Sequence, residues 1–139
     1  MATAEADAAV LALLDAITSP LSLDSGRNLF LGPMLDPSAT RPNNSVCVLA
    51  TGGALMARLV SSSQDWRTPT VQVTVRADRS DYDGGIALAR ACLSACQAPS
   101  SMPSGYTDCQ VREADVTYIQ RDAQGRHLWS FNVQLIRVG

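Results

Sequence analysis

Apolar residues recur along this chain at two periods, and the switches between them mark out its elements. Val10, Leu13, Leu14 and Ile17 fall on one stripe of a helix, which predicts a helix over residues 3–17. Thr3 caps it, acidic residues occupy the first turn, and Pro20 ends it. Asn28-Leu-Phe-Leu-Gly32 reads as a short strand. Pro33, Pro37, Pro42, Asn43 and Asn44 then mark an irregular segment. Ser45–Thr51 is apolar on both faces, which predicts a central strand closed by Gly52-Gly53. The following run, Ala54 to Val60, is compatible with a helical turn or a strand, and Ser61–Arg67 reads as a loop.

From Pro69 to Arg76 the period is two. Val71, Val73 and Val75 alternate with Thr70, Gln72, Thr74 and Arg76, which predicts one buried and one wet face. Pro69 suits a strand start, where it removes a single ladder donor. Ser80 and Asp83 form a capping-box-like helix start. In the helix that follows, Ile86, Ala89, Leu93 and Cys96 share a face, with Leu88 and Cys92 beside them. Pro99–Gly105 is a loop. Two long strands, roughly Asp108–Gln120 and Arg126–Val138, flank the turn Asp122-Ala-Gln-Gly125. Trp129, Phe131, Val133 and Leu135 alternate with Ser130, Asn132 and Gln134, which makes the last strand a second face-selective one. The order α-β-β-β-α-β-β predicts an α+β fold: a mainly antiparallel or mixed sheet of about five strands, with two helices packed on one face.

Composition narrows the function. A chain of 139 residues without internal repeats is expected to be one domain over residues 1–139. Its net charge of −2 gives no electrostatic reason for sequence-specific nucleic-acid binding. The first residues carry neither a signal-peptide nor a transit-peptide pattern, and no apolar run reaches a membrane span. All eleven basic residues are Arg, whose planar fork suits contacts between subunits.

Candidate chemistry is thin. Cys92 and Cys96 lie four apart on the predicted helix, and Cys47, Cys109 and His127 are further metal-type donors. Their spacings match no closed zinc motif, so buried free thiols are the expectation, with a small cysteine-dependent metal-binding enzyme as the alternative. His127 reads as an exposed structural histidine beside a turn. Asp78, Asp81 and Asp83 lack the Gly and the closing Glu of a calcium loop and read as a capping and turn cluster. No catalytic, metal or cofactor residue is therefore assigned. The interaction candidates are Trp66, Arg67, Arg76, Arg79, Asp81 and Arg121, because Trp and Arg dominate hot spots and mixed charges can register one subunit on another. The loops Pro33–Asn44 and Pro99–Gly105 are long enough to serve as docking arms.

Four segments carry a family resemblance. They are Asn28-Leu-Phe-Leu-Gly32; Val46 to Gly53, ending Ala-Thr-Gly-Gly; Pro69-Thr-Val-Gln-Val-Thr-Val-Arg76 leading to Asp81-Tyr82-Asp83; and Gly125-Arg126 followed by Ser130-Phe-Asn-Val133. In this order, over about three quarters of the chain, the pattern resembles the tail terminator proteins of long-tailed bacteriophages. It departs after the second helix, where the family turns quickly and this chain inserts Ala98–Gly105. The resemblance implies a non-enzymatic virion protein without cofactors, assembled in the host bacterial cytoplasm. It further implies a homo-hexameric ring that caps the tail tube protein and meets the head-closure or connector protein, with no membrane partner. The alternative within the same class is another neck component. A closed ring needs two different patches per subunit. Exposed strand faces, with Arg76 and Arg79 meeting acidic residues next door, are the expected contact.

Overall fold

The computed structural model describes residues 6–19, 21–33, 44–58, 65–97, 99, 106–111, 113–122 and 125–138. The elements run α1 (Ala6–Asp15), β1 (Leu29–Leu31), β2 (Ser45–Arg58), β3 (Asp65–Ala77), α2 (Tyr82–Gln97), β4 (Asp108–Val111), β5 (Thr117–Arg121) and β6 (His127–Val138). The sheet order is β1-β2-β3-β6-β4, with β5 also paired to β6. Among the described strand pairs only β1 and β2 are parallel, so the sheet is mixed and mainly antiparallel. The α+β architecture and the order of helices and strands are those the periodicity predicts, with one strand more than expected.

That extra strand comes from a break. Asp108–Gln120 reads as one strand, but β4 pairs with β6 at Val133–Ile136 and β5 pairs with it at His127–Ser130. Residues 113–116 lie outside the ladder between them.

The alternation in β3 and β6 sets the core. Val71, Val73, Val75 and Ala77 stand beside Val46 and Val48 on one side and Trp129, Phe131, Val133 and Leu135 on the other, all buried. Ala9, Val10 and Leu14 of α1 and Leu88, Ala89, Cys92, Leu93 and Cys96 of α2 close over this face in one cluster. Burying each such aliphatic side chain contributes roughly 1.5–3 kcal/mol.

Three local expectations change. β2 does not stop at Gly52-Gly53 but continues to Arg58. Gly52 takes a φ of +98° at a register shift between Ala50 and Gly52, so the glycine absorbs a bulge rather than ending the strand. β3 begins before Pro69, so Trp66 and Arg67 are strand residues rather than loop residues. Pro69 is tolerated inside β3 because it faces Gly53 and no β6 partner is paired between Arg67 and Thr70. The cap of α2 is Asp81, one residue beyond the expected Ser80. The predicted Thr3 cap, the Pro20 stop and most of Pro33–Asn44, Ser61–Arg67 and Pro99–Gly105 lie outside the described residues.

Candidate functional site

One end of the sheet gathers the β3–α2 turn, the first turn of α2 and the β5–β6 hairpin. The turn is held by its own side chains. Asp78 accepts hydrogen bonds from the Ser80 hydroxyl at 2.6 Å and the Ser80 amide at 3.2 Å, and the Ser80 hydroxyl bond is the main cause of an Asp78 pKa below the ordinary carboxylate value. Asp81 Oδ1 accepts the Gly84 amide at 3.2 Å, the hydrogen bond of a helix N-cap. Asn44 ties the turn to β2: its Oδ1 accepts the Asp78 amide at 2.8 Å, and its Nδ2 donates to Asp81 Oδ2 at 3.3 Å. The acidic cluster is thus turn and cap chemistry.

Beside this turn Tyr82, Tyr118, His127 and Trp129 pack as a four-ring group, with centroid separations from 5.4 to 6.1 Å. His127 is buried, not exposed as its place beside a turn suggested, because Tyr82 and Tyr118 stand against it. Its Nε2 lies 3.1 Å from the Arg79 carbonyl oxygen, which only accepts, so Nε2 carries the hydrogen. Nδ1 is hydrogen-bonded to the Tyr118 hydroxyl at 2.9 Å. Tyr82 and Tyr118 keep large exposed surfaces, so the aromatic group opens to solvent here. The single-sequence pattern misses this group because its members come from α2, β5 and β6 and meet only when β5 pairs with β6.

The six interaction candidates do not form one patch. Arg79, Asp81 and Arg121 lie at the end just described, where Ala77, His127 and Arg121 align across β3, β6 and β5. Arg79 and Arg121 are exposed, and Asp81 is half-buried in its cap. Arg67 is exposed at the far end of β3, ten residues from Ala77, or about 33 Å at strand rise. Trp66 is its neighbour on the strand, opposite Ala57 and Val138. Arg76 corrects the reading most. Alternation places it on the wet face, yet it is 2% exposed, and its Nη2 donates to Ser45 Oγ at 3.0 Å. Ser45 stands directly across from it on β2 and Cys47 lies on the same face, both buried. Arg76 is therefore buried within this chain rather than on a wet face.

The cysteine alternative gains nothing from the geometry. Cys47, Cys92, Cys96 and Cys109 are all free and buried. Burial pushes the Cys92 thiol up to about 12 and the Cys109 thiol up to about 11, and raises Cys96 further. Cys109 Sγ donates to the Cys96 carbonyl at 3.1 Å. Cys109 sits opposite Leu135, eight residues along β6 from His127, which puts them about 26 Å apart. No group of three or more metal-type ligands occurs among the described residues. No described helix is long and apolar enough to cross a membrane.

Residues 35–138 match the model of the bacteriophage tail terminator protein family, a span from before β2 through β6. The chain belongs to the bacteriophage tail terminator family. It is therefore a phage tail structural protein by family. Among solved structures, a protein chain from the virion of a native gene transfer agent particle is similar over 96% of this chain and 95% of that one, with a TM-score of 0.69 and 14% identity. At that identity the likeness speaks for the shared fold. A comparison with curated proteins finds no match. In this tail terminator family member Tyr82, Tyr118, Arg79 and Arg121 are exposed at one end of the sheet.

Proposed function

We propose that this chain is a non-enzymatic virion protein of one domain that closes the completed tail tube as a homo-hexameric ring and forms part of the head–tail junction. The observation that carries this reading is the family match over residues 35–138, which includes every strand but β1. The similar chain in a gene transfer agent virion is consistent with a role in a particle.

The distribution of contact groups supports a cap with two different faces. Arg79, Arg121, Tyr82 and Tyr118 crowd one end of the sheet, and Arg67 marks the other. A ring on a tube must meet the tube protein on one side and the head-closure or connector protein on the other, so dissimilar ends are the required form. The ring itself needs a heterologous contact around its circumference.

Two measurements test this. Native mass spectrometry of the purified chain, alone and with purified tail tubes, is expected to give a sixfold species. Electron microscopy of tube polymerisation is expected to show growth stopping when the chain is added. A chain that neither assembles nor binds tube ends would overturn the reading.

A further inference from the structure

The break between β4 and β5 leaves the outer edge of β6 without a strand partner near Asn132. The Glu113 side chain fills that gap. Its Oε1 accepts the Asn132 backbone amide at 3.2 Å and the Asn132 Nδ2 at 2.9 Å. The second oxygen, Oε2, is buried and has no hydrogen-bond partner among the described residues. Glu113 lines a cleft of about 280 Å³ whose other walls are Thr70, Asn132, Val133 and Gln134. That volume suits one side chain better than a cofactor. A buried carboxylate oxygen without a donor is costly, and a cation entering the cleft would relieve that cost.

The same strand carries the opposite orphan. Arg137 Nε is buried with no partner among the described residues. Arg137 pairs across the ladder with Arg67, and like charges directly opposite one another destabilise a sheet. Within one chain Arg137 and Glu113 cannot satisfy each other. Arg137 is five residues from Asn132 on β6, so it projects from the other face of the sheet, about 17 Å away.

We infer that the Glu113 cleft of one copy receives the Arg137 guanidinium of the next copy in the ring. The inference rests on the ring reading and names the charged pair at each of its junctions. Two unlike patches on each subunit, one offering a carboxylate and one a guanidinium, make a heterologous contact that can close. Oε1 is already filled by its two bonds from Asn132, so the guanidinium would donate to Oε2, a charge-assisted hydrogen bond that adds orientation as well as affinity.

The test uses the full chain, free and on purified tail tubes, with assembly read by native mass spectrometry and by binding to tubes. Glu113→Arg and Arg137→Glu are each expected to raise the concentration needed for assembly by about tenfold or more. Mixed one to one, the two variants are expected to assemble again, as even-membered rings with alternating subunits, because each junction then pairs unlike charges. Glu113→Gln keeps the shape and removes the charge, and it covers the case in which Glu113→Arg fails to fold by circular dichroism. Assembly of the wild type with unchanged assembly of Glu113→Gln and Arg137→Glu would overturn the pairing and leave the ring standing. A wild type that stays monomeric both free and on tubes would remove the ring, and this contact with it.

Discussion

Gly85, in the first turn of α2, lies against the ring of Trp129 on β6, and a Cβ on it would stand 2.6 Å from Cζ3 of that ring. It would also overlap the Cβ of Ala77 on β3. The glycine therefore lets helix and sheet approach closely here, and it keeps α2 seated on Trp129. Trp129 is 1% exposed and has no room to retreat. Gly85→Ala gains about 1 kcal/mol of helix propensity but forces overpacking, which typically costs about 1–3 kcal/mol, and Gly85→Val worsens the overlap. Urea unfolding is expected to show a lower midpoint for Gly85→Ala and a much lower one for Gly85→Val. An unchanged midpoint in both would mean that α2 can slide on the sheet.

The four thiols supply a second prediction. Because burial disfavours the thiolate at Cys92, Cys96 and Cys109, native protein at pH 8 is expected to react negligibly with Ellman's reagent. In denaturant all four cysteines should react. Fast modification of one native thiol would show a reactive cysteine that the geometry denies. It would also reopen the enzymatic alternative.

What the sequence reveals follows from where each environment is decided. Val71, Val73 and Val75, like Trp129, Phe131, Val133 and Leu135, alternate cleanly because each strand faces the helix-covered core on one side only. Burial at these positions is a local consequence of period, and it was legible. Arg76 has the same period and the opposite outcome. Its burial depends on Ser45 across the ladder, thirty-one residues away in sequence, which no local pattern reports. The bulge at Gly52 is similar: two glycines after a strand signal a stop unless a partner strand continues past them, and β3 does. Asp81 rather than Ser80 caps α2 because Ser80 is already engaged by Asp78 in the preceding turn. Glu113 had no sequence signal at all, since its carboxylate becomes a ladder acceptor only once β4 and β5 align along β6.

Asp115 and Arg90 give a pH prediction. Arg90 Nε and Nη2 donate to Asp115 Oδ1 and Oδ2 at 3.2 and 3.1 Å, a bidentate pair that joins α2 to the segment between β4 and β5. The Arg90 hydrogen bonds are the main cause of an Asp115 pKa below its ordinary 3.8, with the Val116 amide adding to them. A carboxyl whose pKa is lower when folded contributes stability above its unfolded pKa. That contribution is lost as pH falls through the folded value. Both side chains are half-exposed, so the pair is a modest surface clasp. Carbon-detected NMR titration is expected to find Asp115 titrating below an unstructured aspartate and moving upward in Arg90→Gln. No movement in that variant would assign the shift to the backbone amide instead.

The two arginines at the end of β3 separate fold from assembly. Arg76 is buried and hydrogen-bonded to Ser45, so Arg76→Ala removes a charged hydrogen bond and leaves a void, at a cost of about 2–3 kcal/mol. The expected readout is a lower thermal midpoint in the monomer. Arg79 differs in kind. Its side chain is exposed, and the contact it makes to His127 comes from its backbone carbonyl, which alanine retains. Arg79→Ala is therefore expected to change monomer stability by no more than about 0.5 kcal/mol. If the exposed end of the sheet meets a partner, Arg79→Ala should instead weaken binding to tail tubes or to the connector protein. A destabilised Arg79→Ala, or an Arg76→Ala that melts like the wild type, would reverse the two roles. Measuring both melts before any assembly assay keeps a folding defect from being read as a lost contact.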